Sequence, residues 1–395
     1  MTTATTAFVA VALLASGAAA SVIPPPYADH CLATGPTTYN ASHADQVPWY
    51  TIDLDAQPLL RWQAIAKDYK AQIARLLDVI KGVSTPYFHG KLVHWIDAHL
   101  GSWDDRLPQP YADELKGIAS ASGLSLGEIV LYNIAYELFS VCTSIVAEDT
   151  HGRLHHARNL DFGIFMGWNA TTHSWILTDA LRQMVVNVRW TRRGRLLFKS
   201  SNFAGFIGVY NGVKPHSFAL SANQRFSRDG GYYGLLLWML GAAPNATWMT
   251  WHVREVMEKH DSYEAAMQDL STRELLAPVY YILSGKSSGQ AVVITRSRKR
   301  TIHLSKMGSP PDRWFLVQTN YDADSAPFYL DDRRTPTKRC MRALGQRRLD
   351  EAGLYDVLSS KTTLNKLTVY TALMQVDQAL YETHIQTCPM PCYPW

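Results

Sequence analysis

Cys142 follows a helical run and opens a run of β-formers, Thr143-Ser144-Ile145-Val146-Ala147, so it is expected at the first residue of a strand. Arg158 and Asp161 come 16 and 19 residues later, within His155-His156-Ala157-Arg158-Asn159-Leu160-Asp161-Phe162. A strand from Cys142, a turn at Asp149-Thr150-His151-Gly152 and a returning strand would bring both charged residues back beside the thiol. A guanidinium next to a thiol lowers its pKa and favours the nucleophilic thiolate, while a carboxylate in reach can hold an amine. This set suits covalent attack on a carbonyl. It also fits a plainer reading, a buried strand cysteine with a surface Arg and Asp on a hairpin. Spacing alone leaves both open.

The elements that must position these residues have two textures. From Gln57 to Ser140 the pattern is helical: Leu59, Leu60, Trp62, Ile65, Ala66 and Tyr69, then Ile73, Leu76, Leu77 and Ile80, recur at helical spacing. Further helices are expected near Phe88–Leu100 and Tyr111–Ser120, and a fourth opens at Ser125-Leu126-Gly127-Glu128, which has the form of a capping box. From Val141 onward short β-type runs dominate: Thr143–Ala147, Leu154–Asn159, Met184–Trp190, Leu196–Ser200, Phe206–Tyr210 and Phe218–Ser221. Helical patterns return at Tyr232–Leu240 and Thr247–Glu258. Strands follow at Val279–Leu283, Ala291–Thr295, Trp314–Thr319, Leu367–Leu373 and Tyr381–Ile385. A helical leader and a strand-rich body make an α+β layout.

The 395 residues are 47% hydrophobic and 18% charged, enough apolar material for a substantial core and far from a disordered composition. A formal charge of +4, evenly spread, argues against a nucleic-acid partner. Residues 1–20 carry no charged side chain, contain the apolar run Ala7–Leu14 and end in Ala18-Ala19-Ala20, which predicts a secretory leader cut after Ala20. Sequons at Asn40, Asn169 and Asn245 agree with a secretory route, where disulfides persist. The five cysteines are Cys31, Cys142, Cys340, Cys388 and Cys392, so at least one thiol has no partner within the chain.

Two clusters invite other readings. His155-His156 could suggest a metal, but neighbours on a strand face opposite ways and no further ligand spacing supports one; neither metal nor cofactor is expected. Trp238, Trp248 and Trp251 read as helix core, with a lipid-facing surface as the other possibility.

Cys-Thr-Ser-Ile-Val-Ala followed by His-x-Arg-Asn-x-Asp-Phe resembles the N-terminal-nucleophile cysteine amidases, the group of the acid ceramidases and N-acylethanolamine acid amidases. The similarity runs through nearly the whole mature chain, including Phe203–Gly208, Gln318–Asp322, Asp331–Pro336 and Leu364–Thr371. Phe162–Asn169, Arg225-Phe226-Ser227 with Gly230-Gly231-Tyr232, and the tail Cys388–Trp395 look like the ceramidase branch.

That resemblance implies a four-layer αββα sandwich and a precursor that cuts itself at Val141–Cys142. A helical α subunit, 21–141, would stay on a β subunit, 142–395, and the freed α-amine of Cys142 would be the base for its own thiol. It assigns Arg158 and Asp161 to positioning around thiol and amine, Asn320 to oxyanion stabilisation and Arg333 to organising the site. Asn223 and Gln224 would support it, Gln224 standing where acid ceramidases carry Glu, a change that bears on the pH dependence of self-cleavage. The implied enzyme is a lysosomal ceramide amidohydrolase yielding sphingosine and fatty acid, aided by a saposin-type activator and an anionic membrane surface. N-acylethanolamine hydrolysis, or a non-catalytic lipid-binding role, are the alternatives. With Cys142 kept free, four cysteines allow three pairings. A local Cys388–Cys392 loop would leave Cys31–Cys340 to tether the two subunits.

Overall fold

The computed structural model describes residues 30–88, 107–138, 140–162, 167–227, 230–243, 245–310, 312–328 and 331–392. The expected leader, the helix expected near 88–100 (beyond Phe88) and parts of the 162–169 and 388–395 stretches lie outside the described residues. The first described elements are β1 (Trp49–Asp53) and the helices α1 (Pro58–Arg61), α2 (Gln63–Asp68), α3 (Lys70–Phe88), α4 (Tyr111–Ser122) and α5 (Leu126–Leu138). The capping box ahead of α5 forms in both directions: Ser125 N–H donates to Glu128 Oε2 at 2.8 Å, and Glu128 N–H to Ser125 Oγ at 3.2 Å.

Then come β2 (Ser140–Glu148), β3 (Leu154–Phe162), the short pair β4 (Trp168–Asn169) and β5 (Ser174–Trp175), and helix α6 (Ile176–Arg182). Four strands follow, β6 (Val185–Arg192), β7 (Arg195–Phe203), β8 (Asn211–Lys214) and β9 (Phe218–Gln224), then helices α7 (Gly231–Met239), α8 (Met249–Lys259) and α9 (Tyr263–Thr272). The chain closes with β10 (Val279–Gly285), β11 (Ala291–Arg296), β12 (Thr301–Lys306), β13 (Phe315–Gln318), helices α10 (Arg334–Leu344) and α11 (Glu351–Leu358), β14 (Thr368–Gln375) and β15 (Leu380–Ile385).

An eight-stranded sheet runs β1-β6-β7-β8-β9-β10-β11-β12 and a five-stranded sheet runs β13-β2-β3-β14-β15. The two sheets face each other. Val146 and Leu154 pack between them against Tyr280, Ile282 and Val293. On the outer face of the smaller sheet, Ile145, Ala147 and Ala157 pack against Met341, Leu344, Leu354 and Val357 of α10 and α11. Helices α8 and α9 cover the larger sheet; His252 of α8 bonds Tyr281 of β10 at 2.9 Å. This is the expected αββα sandwich. Because both faces of β2 and β3 are covered, all nine residues of β3 and the first eight of β2 are buried. The strand period of two then sorts their side chains. Even-numbered residues such as Ser144 and His156 point to the eight-stranded sheet, odd-numbered ones toward α10 and α11.

Three expectations change. Phe206–Tyr210 is a buried loop, not a strand, because Gly205 turns at φ +83° and a Cβ on Gly208 would lie 2.2 Å from Thr250 Oγ1. Cys142 is the third residue of its strand, not the first: the chain is continuous here, and Ser140 and Val141 pair with Phe162 and Asp161. The segment expected as a helical subunit is not all helix, since β1 joins the large sheet parallel to β6.

A buried ion cluster ties the helices before Cys142 to those after it. Glu114, fully buried, receives both guanidinium nitrogens of the equally buried Arg254 at 2.6 Å, Arg61 at 2.8 Å and Trp62 Nε1 at 2.8 Å. Arg254 also lies 4.6 Å from the Trp190 ring centroid. Burial opposes the Glu114 charge, yet the guanidinium pair holds its carboxyl below the usual range. Glu114→Ala leaves the buried Arg254 with only Glu258, at 2.9 Å, and the Ile207 carbonyl, and should cost about 3–5 kcal/mol, read as a fall in the denaturation midpoint. A midpoint within error of wild type would refute the cluster's role.

Candidate active site

Cys142 is fully buried, and its side chain points into the layer between the sheets. Arg158, on β3 diagonally across from Cys142 (the register pairs it with Ser144), donates to Cys142 Sγ from Nη2. Its Nη1 donates to the carbonyls of Tyr210 and Ala222 at 3.0 and 3.3 Å, so the eight-stranded sheet aims this cation. The plainer reading of a surface Arg and Asp fails, because both residues are fully buried.

Asp161 is odd-numbered and its carboxyl faces the opposite side of the sheet from the thiol. There Arg333 Nη1 lies 3.5 Å from Asp161 Oδ2, and Asn365 Nδ2 donates to the same oxygen at 3.2 Å. Burial pushes the Asp161 carboxyl up, against the pull of Arg333.

Arg333 is the hub. It donates to the Cys142 carbonyl at 2.6 Å, to Thr143 Oγ1 at 3.2 Å and to Asn320 Oδ1 at 2.8 Å. Asp331 receives its Nε and Nη2 at 2.8 and 3.0 Å. Asn320 Oδ1 in turn accepts the backbone N–H of Cys142 at 2.9 Å, while its Nδ2 donates to the Gln224 carbonyl at 2.7 Å. In the continuous chain, then, Asn320 presents its acceptor to the nucleophile's own nitrogen, not a donor to an oxyanion. Asn223 sits one layer back, taking Ser144 Oγ at 2.8 Å and donating to the Gln318 carbonyl at 2.9 Å.

The expected fall in thiol pKa is reversed. Burial pushes Cys142 up to about 11, outweighing the downward pull of Arg158, because no water solvates a thiolate there. A raised folded pKa means that burial of the neutral thiol stabilises the continuous chain below the ordinary thiol range, a contribution lost as pH rises through about 11. Maleimide should therefore leave the uncut chain unlabelled at neutral pH. Labelling of the uncut chain as fast as a free thiol, read by intact mass, would contradict this occluded geometry.

The histidines behave as strand neighbours should. His155 meets Glu351 at 3.0 Å, whereas His156 lies between Ser221 and Ser284 at 2.8 and 3.0 Å on the other face. Burial holds His156 down, to about 3. Trp238, Trp248 and Trp251 are buried and meet edge to face, Trp248 lying just ahead of α8. Cys31–Cys340 and Cys388–Cys392 are disulfides and Cys142 is free. The first bridge joins residues on either side of Val141–Cys142.

Sequence reasoning gave no role to Asp331, Asn365, Thr143 or the Tyr210 and Ala222 carbonyls. Asp331 and Asn365 lie in two of the stretches that carry the family resemblance, and an acid two residues before Arg333 was a usable signal. The carbonyls carry none, since any residue supplies one.

The profile described as linear amide C–N hydrolases, choloylglycine hydrolase family, matches residues 142–345, beginning at Cys142. The profile for the beta subunit of N-acylethanolamine-hydrolyzing acid amidase matches residues 45–107. The chain is 42% identical to acid ceramidase of Pan troglodytes and 41% to that of Homo sapiens, each over 98% of both chains. The mouse (Mus musculus) acid ceramidase is 42% identical over 94% of both. Among solved structures, the Caenorhabditis elegans ortholog of N-acylethanolamine-hydrolyzing acid amidase superposes with a TM-score of 0.51 at 28% identity, over 62% of this chain and 100% of that one.

Proposed function

This chain belongs to the acid ceramidase family of linear-amide hydrolases, and on that premise we propose that it hydrolyses the N-acyl bond of ceramide to a sphingoid base and a free fatty acid. The observation that carries the reading is 42% identity over 98% of both chains together with a family profile that starts at Cys142.

Self-cleavage comes first. Cys142 Sγ attacks the Val141 carbonyl and its proton passes to the departing nitrogen; the peptide C–N bond breaks, freeing the Cys142 α-amine as the thioester forms, and water then hydrolyses the thioester to the Val141 carboxylate and the free Cys142 thiol. Residues 21–141 and 142–395 become the two subunits, held by the disulfide between Cys31 and Cys340. The new amine lies where Asn320 Oδ1 already accepts the nitrogen. Its ordinary pKa is far below that of Lys, so it can take the thiol proton. The thiolate then attacks the substrate amide carbonyl, with Arg158 beside the developing charge. The sphingoid amine leaves with the proton from the α-ammonium, and water hydrolyses the Cys142 acyl thioester. Asn320, once its acceptor is free to turn, and Arg333 are the groups available to the oxyanion. Gln224 supplies its backbone carbonyl to Asn320 and brings no titratable charge.

N-acylethanolamine hydrolysis is the second reading, favoured by the likeness to the nematode structure and the residue 45–107 match. An acid-incubated two-chain sample given both lipids separates them: ceramide consumed faster supports the first, and ceramide left intact while the ethanolamide is cleaved sinks it. No cut and no turnover would favour a lipid-binding homologue. The leader, the sequons at Asn40, Asn169 and Asn245 and the two disulfides support a secretory route to the lysosome. Among the described residues no helix is long and apolar enough to cross a membrane. A saposin-type activator and an anionic membrane surface are the partners such a lipid substrate calls for.

A further inference from the structure

A cavity of about 760 Å³ opens between the helical segment before Cys142 and helices α7 and α8 after it. Pro108 lines it from the first side; Trp238, Trp248 and Trp251 form its apolar wall. Glu255, Arg273 and Glu274 add charge to the same lining, Arg273 reaching Glu255 at 3.3 Å. Asn245 of the sequon Asn245-Ala246-Thr247 is part of this lining and is exposed. The sequon is held against the body: Thr247 N–H donates to the Glu274 carbonyl at 3.1 Å, and Leu276 N–H to the Thr247 carbonyl at 2.9 Å. The site of attachment and the receptacle therefore move together.

We propose that Asn245 carries an N-linked glycan whose first sugars lie in this cavity, bridging the two subunits. The inference rests on the secretory reading. In the modification, Asn245 Nδ2 bonds C1 of the first N-acetylglucosamine, losing one proton, as a lipid-pyrophosphate-linked oligosaccharide releases its pyrophosphate carrier. Pyranose rings present an apolar C–H face suited to tryptophan and proline, and a hydroxyl edge suited to Glu255, Arg273 and Glu274. The volume falls within the roughly 300–1,000 Å³ of pockets that enclose small ligands. An acyl chain would leave those three charged side chains facing hydrocarbon, which disfavours lipid as the occupant. Asn40 serves as the open reference: it is exposed and caps the short 3-10 helix Ala41–Gln46.

The test uses the full chain secreted from a eukaryotic host, with site-resolved mass spectrometry after timed peptide-N-glycosidase treatment of the native protein. Release at Asn245 should be at least about tenfold slower than at Asn40, and the two rates should converge on denaturation. Asn245→Gln, with the Asn40 glycan intact, should lower the melting temperature of the cut, two-chain form. Asn245 unmodified while Asn40 is modified overturns the proposal alone. Both sites bare would overturn the secretory reading with it. Equal native release rates overturn the seating, and an unchanged melting temperature overturns the bridging.

Discussion

Cys142→Ala gives one uncut chain with no measurable amide hydrolysis. Both outcomes follow from one atom, because Sγ is the attacking group in self-cleavage and in turnover. Removing the nucleophile of a covalent hydrolase typically costs on the order of 10⁶ in rate. The fold should hold: the Cys142 side chain is small, fully buried and outside both disulfides, so its loss costs only about 1–2 kcal/mol. Intact mass before and after acid incubation reads the cut, and lipid product analysis reads the hydrolysis. Cys142→Ser is the informative companion, since the alkoxide is a poorer leaving group than a thiolate and the hydroxyl ionises far less readily. Wild-type cleavage of Val141–Cys142 in the alanine variant would end the self-cleavage mechanism and point to a separate protease.

Arg333→Gln should be the next most damaging change. This guanidinium binds the Cys142 carbonyl, Asn320, Thr143 and Asp331 and faces Asp161, five partners from four segments. Asp331 and Asp161 hold Arg333 firmly protonated, above its ordinary range, despite burial. Glutamine can replace at most two of these bonds and leaves Asp161 buried without its counter-charge. The expected loss is about 3–5 kcal/mol of stability and about 10²–10³ in the rate of self-cleavage. Arg333→Lys separates charge from geometry: one ammonium cannot reach both Cys142 and Asn320, so stability should recover more than cleavage does. A glutamine variant that melts and cuts like wild type would remove Arg333 from the site.

Much of this was legible along the chain. Strand–turn–strand spacing brought Arg158 back to Cys142, because β2 and β3 are a local hairpin whose register is set by a short turn. The capping box at Ser125 and Glu128 and the histidine pair followed from rules that act within a few residues. The loop at Phe206–Tyr210 was misread because its apolar residues are buried as in a strand, while the feature that bends it, the closeness of Thr250, lies 42 positions away. Strand β1 escaped notice because its partner β6 is more than 130 residues downstream.

The order of residues along the chain sets the chemistry available: one unpaired thiol at a helix-to-strand boundary, with a guanidinium and a carboxylate one hairpin away. Local periodicity and covalent connectivity are sequence properties, so they needed no tertiary information. Which groups meet the thiol and which meet the backbone around it depends on the packing of the two sheets. The period of two put Cys142 and Arg158 between the sheets and Asp161 on the far side with Arg333. The packing also decided the thiol's protonation. A nearby Arg argues for a thiolate, but a site closed on both faces by packed sheets excludes the water that would solvate the charge, and desolvation outweighs the single neighbouring cation.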